Sequence, residues 1–268
     1  MSLAIALLIW ILAVIVVCLF GFGHLGNTNW NLPQLATNFS DIDSLFYLTL
    51  SITGLAFLLV HLILGYFIFK YKNNNSPVKY SKGNNRLEIA FALGVGLVFI
   101  ALAVMSQRVW TKIYFATPTT DVLHIEATGE QFQWIFRYSG KDNKFGVTDL
   151  KLINKEQNPL GLNLEDPNSN DDIVKLSELV IPIDQVVKLT LHSHDVMHSF
   201  FAPNLRIKQD AIPGLSMTIQ FQANKIGEYE IACAELCGQG HYRMKAKLRV
   251  ISKEDFNNWT ETNSAQKP

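Results

Sequence analysis

Twelve residues near the far end of the chain, Cys233-Ala-Glu235-Leu-Cys237-Gly-Gln-Gly-His241-Tyr-Arg-Met244, gather two thiols, an imidazole and a thioether. Thiolate and thioether are soft ligands and imidazole is intermediate, so the set suits copper better than a hard cation. A single-copper electron-transfer site uses one Cys, two His and a weak axial Met. Two cysteines beside one histidine do not fit that pattern, and a second imidazole has to come from elsewhere. His198, in Ser193-His194-Asp195-Val-Met-His198-Ser-Phe-Phe-Ala-Pro203, is the natural donor, because this stretch directly follows an alternating run and so stands at the end of a strand. Two bridging thiolates, two imidazoles, a thioether and one further oxygen complete a shell for a pair of coppers. One unpaired electron shared over two metals spreads the charge change and lowers the reorganisation at each transfer, as a relay requires. Other chemistries compete for the same residues. Cysteines four apart outside the cytoplasm can form a disulfide, and Cys/His sets hold structural zinc, although zinc rarely takes Met. Cys18, His24, His61 and His124 stand alone and read as packing or surface residues.

The elements that position this cluster follow from the distribution of charge. Charged residues make up 17% of the 268, with mean hydropathy +0.15, and the deficit is concentrated in the first 110 residues. Basic and acidic residues balance at 23 each, so nothing favours nucleic acid as a partner. Leu3 to Phe22, Leu45 to Phe69 and Ile89 to Met105 are largely apolar runs without Asp, Glu, Lys or Arg, and His61 lies within the second. Each has about the length that crosses a bilayer, roughly 17–25 residues. The loop from Gly23 to Asp43 has no Lys or Arg, whereas Lys70, Lys72, Lys79, Lys82 and Arg86 fill the next one. Basic loops stay on the cytoplasmic side, which puts the second loop inside and everything after Met105 outside. The first run has a rival reading as a cleaved signal peptide, although it lacks a basic flank, and Gly21-Phe22-Gly23 is a poor cleavage site.

From Asp121 the pattern alternates, as in Val122-Leu123-His124-Ile125-Glu126-Ala127 and Val186-Val187-Lys188-Leu189-Thr190-Leu191. Short alternating runs separated by Pro, Gly and Asn predict an antiparallel sandwich or barrel. The expected divisions are a helix over 1–22, a two-helix membrane hairpin over 44–107, an extracytoplasmic β-domain over 108–253 and a tail over 254–268. Residues 141–178, polar and carrying Asn158-Pro159 and Asp166-Pro167, read as a surface insertion. Lys253 to Trp259 is expected to form a short closing helix with frayed residues beyond it.

Taken together, Cys-x-x-x-Cys-x-x-x-His-x-x-Met, Asp195-Val-Met-His198-Ser-Phe and Asp210-Ala-Ile-Pro-Gly214 resemble the binuclear copper (CuA) domain of cytochrome c oxidase subunit II, from about Leu45 to Val250. The resemblance implies a cupredoxin-type Greek-key β-barrel behind transmembrane helices. It makes Cys233 and Cys237 the bridging thiolates, His198 and His241 the imidazole ligands, Met244 the weak ligand to one copper, and the Glu235 carbonyl a ligand to the other. The Glu235 side chain would also reach a magnesium ion shared with subunit I.

Gly129-Glu130-Gln131-Phe132-Gln133-Trp134-Ile-Phe136-Arg-Tyr138 is similar to the family's aromatic stretch, which assigns Trp134 as the point where the electron comes in. The chain departs from that stretch at Phe132 and at Glu130, where a His is common. Glu88, in Arg86-Leu-Glu88, matches a glutamate that opens a proton path, or else is a solvated helix-start acid. Asp195 and Asp210 match acidic positions near the donor-docking face, or else are turn residues.

The implied function is electron acceptance from cytochrome c or a similar carrier, with transfer to the haem and copper centre of subunit I, where oxygen is reduced to water and protons are translocated. The implied setting is a bacterial-type cell membrane and its lipid, with a mitochondrial inner membrane as the alternative. Quinol oxidase subunit II shares the fold but lacks the copper ligands. A membrane-tethered copper carrier would need neither the aromatic stretch nor the Asp-Ala-Ile-Pro-Gly segment. Nitrous oxide reductase carries the same copper motif in a soluble chain with a larger second domain. No Cys-x-x-Cys-His is present for a fused haem, so the donor is expected to be a separate protein.

Overall fold

The computed structural model describes residues 2–22, 24–25, 28–29, 32–71, 80, 82–115 and 122–264. Lys72 and Lys79 of the basic loop, Gly23, Asp121 and residues 265–268, where fraying was expected, lie outside the described residues. The chain divides into two compact units, Met1–Leu32 with Asp41–Trp110 and Pro33–Ser40 with Thr111–Pro268.

The first unit is helical. Helix α1 (Ser2–Phe22) is followed by two-residue strands β1 (His24–Leu25) and β2 (Thr28–Asn29), then α2 (Ser40–Lys70) and α3 (Asn85–Tyr114). Helices α2 and α3 are long and apolar enough to cross a membrane, while the apolar run in α1, Leu3–Leu19, is shorter. Val60, Phe91, Leu97 and Phe99 are exposed, as apolar side chains are where lipid or a neighbouring helix replaces water. Asn84 caps α3 by accepting from the backbone N–H groups of Arg86 and Leu87 at 3.1 and 3.3 Å. Glu88 sits in the first turn, where a negative charge complements the helix dipole. Helix α1 rests on α2 through one notch. The Trp10 indole N–H donates to the Leu62 carbonyl at 3.2 Å, and a Cβ at Gly65 would stand 2.1 Å from that nitrogen. Ala6 and Ala13, on the same face of α1, are buried.

The second unit is built from two five-stranded sheets. In chain order its strands are β3 (Val122–Glu130), β4 (Gln133–Tyr138), β5 (Ile173–Leu176), β6 (Glu178–Pro182), β7 (Val186–Ser193), β8 (His198–Ala202), β9 (Ile207–Ala211), β10 (Met217–Gln222), β11 (Gly227–Cys233) and β12 (Lys245–Ile251). Helix α4 (Lys253–Ser264) follows. One sheet has the order β10-β7-β3-β4-β5 and the other β6-β12-β11-β8-β9. The expected antiparallel pairing holds for most neighbours, but β3–β7 and β6–β12 are parallel. Alternation of apolar residues does not encode strand direction, and parallel neighbours need long crossovers. Val187, Leu189 and Leu191 of β7 alternate with half-buried residues. The core also holds the buried Ile125, Ala127, Trp134 and Phe136 of the same sheet and Phe200, Ile231, Leu248 and Val250 of the other.

Two attachments to this unit were not expected. Residues 33–39 form a strap against the β-domain. Ala36 N–H donates to the Asn204 carbonyl at 2.8 Å and its own carbonyl accepts from Asn224 N–H at 2.9 Å, while Thr37 bridges to Ala223. The insertion is more than a solvated loop. It contributes β5 to a sheet edge and buries Leu160 and Leu162 against Ile135. Arg137, on the same outer face, is 3% exposed and lies against Glu126, Asp172 and the Gly146 carbonyl. An arginine facing out of a sheet between two acids needs a cover to be worth burying, and residues 141–178 supply it.

Candidate metal centre

Three connections converge at one end of the sandwich: the β3–β4 turn, the loop before β8, and the loop from β11 to β12. The last closes on itself, since Cys233 N–H donates to the Met244 carbonyl at 3.0 Å. Between them the chain is turned back by a short 3-10 turn over His241–Arg243 and by Gly238, whose φ of +133° belongs to the region that favours glycine, so that Cys237 and Met244 are buried while Leu236 and Tyr242 stay exposed. Loop and sheet are also joined by Ala234 N–H donating to the Ser199 carbonyl.

All six donor groups named from the sequence come together here. The Cys233 and Cys237 sulfurs are 3.9 Å apart, well beyond the roughly 2.05 Å of a disulfide, and both cysteines are free. His198 Nδ1 lies 4.0 Å from Cys233 Sγ, and His241 Nδ1 lies 3.7 Å from Cys237 Sγ. Met244 Sδ is 3.8 Å from Cys237 Sγ, and the Glu235 carbonyl is 3.2 Å from Cys233 Sγ. Each thiol therefore has its own imidazole and one weaker donor, which is a donor set of the right softness and number for two coppers bridged by sulfur. Burial, with the Cys233 thiol beside it, pushes the Cys237 thiol up to about 11. Bound metal would have to displace that proton.

The surrounding packing explains how the ligands are held. His198 is fully buried because β3 offers no side chain opposite it: a Cβ at Gly129 would meet the imidazole at 2.7 Å. Trp134 also packs edge-on to His198, with ring centroids 6.0 Å apart, and to Phe200 at 5.5 Å. Trp134, assigned by the resemblance as the point where the electron comes in, is wholly buried. Phe132, on the turn before β4, is half-buried and reaches the surface. A Cβ at Gly240 would meet its ring at 2.3 Å and one at Gly238 at 3.1 Å, so the ring lies directly on the cysteine loop, with the Arg243 guanidinium 5.8 Å from its centre.

Both aspartates expected at a docking face have partners. Asp210 lies 3.5 Å from Lys208. Asp195 accepts from the backbone N–H of Gln131 and reaches His198. Burial raises the Asp195 carboxyl, but hydrogen bonds from His198, Gln131 and Val196 outweigh it and leave the group below its usual range. Glu130 is paired with Lys155 of the insertion at 3.0 Å. Glu235 is half-buried at the mouth of the loop, and Glu88 belongs to the other unit. Phe132 and Gln131 are the residues that sequence reasoning undervalued. The Gln131-Phe132 pair just before a strand was the available signal.

Met244 is 1% exposed and contacts one sulfur only. If Met244 serves as a weak ligand, Met244→Leu is expected to retain copper and shift the reduction potential, because such a thioether would tune the site more than hold the metal. Metal analysis together with a redox titration checks this, and loss of metal as complete as in a cysteine variant would contradict it.

Apolar helices joined to a cupredoxin-like double sheet, with thiols, imidazoles and a thioether at one end, define a membrane-anchored copper-domain subunit. Comparison with known proteins narrows the class. The family described as "Cytochrome C oxidase subunit II, periplasmic domain" matches residues 123–251. The alternative cytochrome c oxidase subunit 2 of Bradyrhizobium diazoefficiens is 36% identical over 240 residues, covering 89% of this chain and 85% of the relative. Cytochrome c oxidase subunit 2 of Thermostichus vulcanus is 28% identical over 285 residues, covering 96% and 86%. Among solved structures, the periplasmic domain of subunit II of cytochrome oxidase from Bradyrhizobium japonicum is 29% identical with a TM-score of 0.42, covering 57% of this chain and all of that one. The chain belongs to the cytochrome c oxidase subunit II family. It is a membrane-anchored subunit of a haem-copper terminal oxidase, an oxidoreductase that it forms with other oxidase subunits, and its copper domain lies outside.

Proposed function

We propose that the chain accepts electrons from cytochrome c, or a similar soluble carrier, at a two-copper centre held by His198, Cys233, the Glu235 carbonyl, Cys237, His241 and Met244, and delivers them to the haem and copper centre of subunit I. The observation that carries this reading is the pairing of each thiol with its own imidazole within about 4 Å, around two sulfurs 3.9 Å apart. When bound, copper supplies a one-electron redox couple. The chain's own residues orient the ligands, exclude water and bring a surface ring to the cysteine loop. The test is an electron paramagnetic resonance spectrum of the copper-loaded protein. Seven hyperfine lines are expected from one electron shared by two metals, and four lines would mean a single-copper site.

Electrons reach the centre through Phe132, which lies on Gly238 and Gly240 between Cys237 and His241, while Trp134 packs beneath His198. Asp210 takes part in steering the donor, with its charge partly offset by Lys208. The Glu235 side chain is available for a magnesium ion shared with subunit I. Glu88, an exposed acid in the first turn of a membrane helix, is the candidate to open a proton path. A quinol oxidase would have no use for the complete ligand set.

The setting proposed is a bacterial-type cell membrane, with α2 and α3 in contact with lipid and the basic loop between them inside. The notch between Trp10 and Gly65 supports retention of α1 as a third helix. The strap supports the topology independently of charge. Residues 33–39 belong to the β-domain and run directly into α2, so α2 starts on the side of the membrane where α3 ends. Cysteine placed at position 150 is expected to react with an impermeant reagent on intact cells, and cysteine at position 79 to stay unlabelled. The reverse pattern would overturn the arrangement.

A further inference from the structure

Asp195 joins two of the connections around the candidate ligands, and Gln131 ties in the third. Its carboxylate accepts from Gln131 N–H at 2.8 Å and from Val196 N–H at 2.7 Å, and its Oδ1 lies 2.8 Å from His198 Nε2. The Gln131 side-chain amide donates to the Cys237 carbonyl at 2.6 Å. One carboxylate and one amide thus tie the loop before β8 to the β3–β4 turn, and that turn to the cysteine loop. An ionised carboxylate can only accept hydrogen bonds, so the proton of a neutral His198 ring belongs on Nε2. Nδ1 is then left with its lone pair toward Cys233.

We propose that Asp195 is a positioning residue, which fixes the tautomer of His198 and through it the reduction potential of the copper centre, with Gln131 as the second arm of the same clip. This rests on the copper reading above. It gives Asp195 a task other than donor docking, because each carboxylate oxygen already accepts a hydrogen bond from the chain although the residue is exposed. A carboxylate bonded to a ligating imidazole makes the ring a better donor, which favours the oxidised form of the metal. Removing the charge therefore raises the potential. Gln131 acts on the same ligands mechanically, by holding the Cys237 carbonyl and so the pitch of the cysteine loop.

The test uses Asp195→Asn and Asp195→Ala. In the assembled oxidase, Asp195→Asn is expected to weaken copper retention against a chelator by about 10- to 100-fold. If the carboxylate favours the oxidised form about tenfold, the potential rises by roughly 59 mV for a one-electron couple. The KM for the donor should not change. In the metal-free full chain, nitrogen-15 resonances of His198, identified by their loss in His198→Gln, should report the Nε2–H tautomer in the parent and a mixture in Asp195→Ala. An unchanged potential with a raised donor KM would make Asp195 a docking residue and overturn the proposal, as would an unchanged tautomer in Asp195→Ala. The tautomer measurement needs no metal, so a variant that fails to load copper still decides the question. A parent with a four-line spectrum but the expected tautomer would defeat the two-copper reading and leave the clip standing.

Discussion

Serine at either Cys233 or Cys237 removes the metal centre and with it electron transfer to the oxidase. Each sulfur is within about 4 Å of the other and of its own imidazole, so each is expected to serve both metals. A hydroxyl is a hard donor that does not bridge two coppers as a thiolate does. Nor can the site recruit a substitute. Both cysteines are buried, and the lost thiolate leaves a pocket whose remaining donors are spoken for. The buried hydroxyl itself costs about 1–3 kcal/mol if it finds no partner, too little to unfold a domain with two sheets behind it. The expected result is a folded, assembled protein with little copper, no mixed-valence absorption and electron input at background. Copper content and the visible spectrum of the purified variant check it. Full copper with the purple mixed-valence band in either variant would show that the sulfurs do not bridge.

Trp134 and Phe132 stand two residues apart and are expected to fail in different ways. Trp134 is among the largest fully buried side chains, packed on His198 and Phe200. Truncating a buried tryptophan to alanine costs about 3–5 kcal/mol through lost burial and the cavity left behind. Trp134→Ala is therefore expected to lower stability by that amount and to disturb the His198 ring. Phe132 is half-buried and covers the cysteine loop from outside. Phe132→Ala should leave stability nearly unchanged and slow transfer from a docked donor several-fold, since tunnelling falls steeply as the path lengthens. Denaturant titration separates the two effects on stability. Stopped-flow measurement of the transfer step, made apart from donor affinity, tests the path. A parent-like transfer rate in Phe132→Ala would remove it from the route.

The proposed ligand set could be picked out from the sequence because five of its six residues lie within twelve, and the softness of the thiols and the thioether is a property of atom type. His198 was legible because an alternating run ended just before it. The face of Trp134 was not. Alternation places residues 132 and 134 alike, but the turn at Gln131-Phe132 interrupts the strand, so only the second side chain enters the core. Contacts between distant segments were equally hidden. Arg137 and Asp172 are 35 residues apart, and nothing in either stretch announces the other. A lone acid also looks the same from the sequence whether it faces a donor or a neighbouring imidazole, and the 2.8 Å approach of Asp195 to His198 was hidden for that reason.

The strap of residues 33–39 has a consequence for anyone cutting the copper domain free of the membrane. A soluble fragment begun after α3 would contain every proposed ligand and all ten strands from β3 to β12. It would also leave the Asn204 carbonyl, Asn224 N–H and the Thr37-facing edge at Ala223 open to solvent or to another molecule. The missing piece is short, apolar at Ala36 and Phe39, and partly paired like a strand. Supplied as a separate peptide, it has the form of a guest that the fragment would take back by edge pairing, and two fragments could satisfy the same need by trading on each other's open edges.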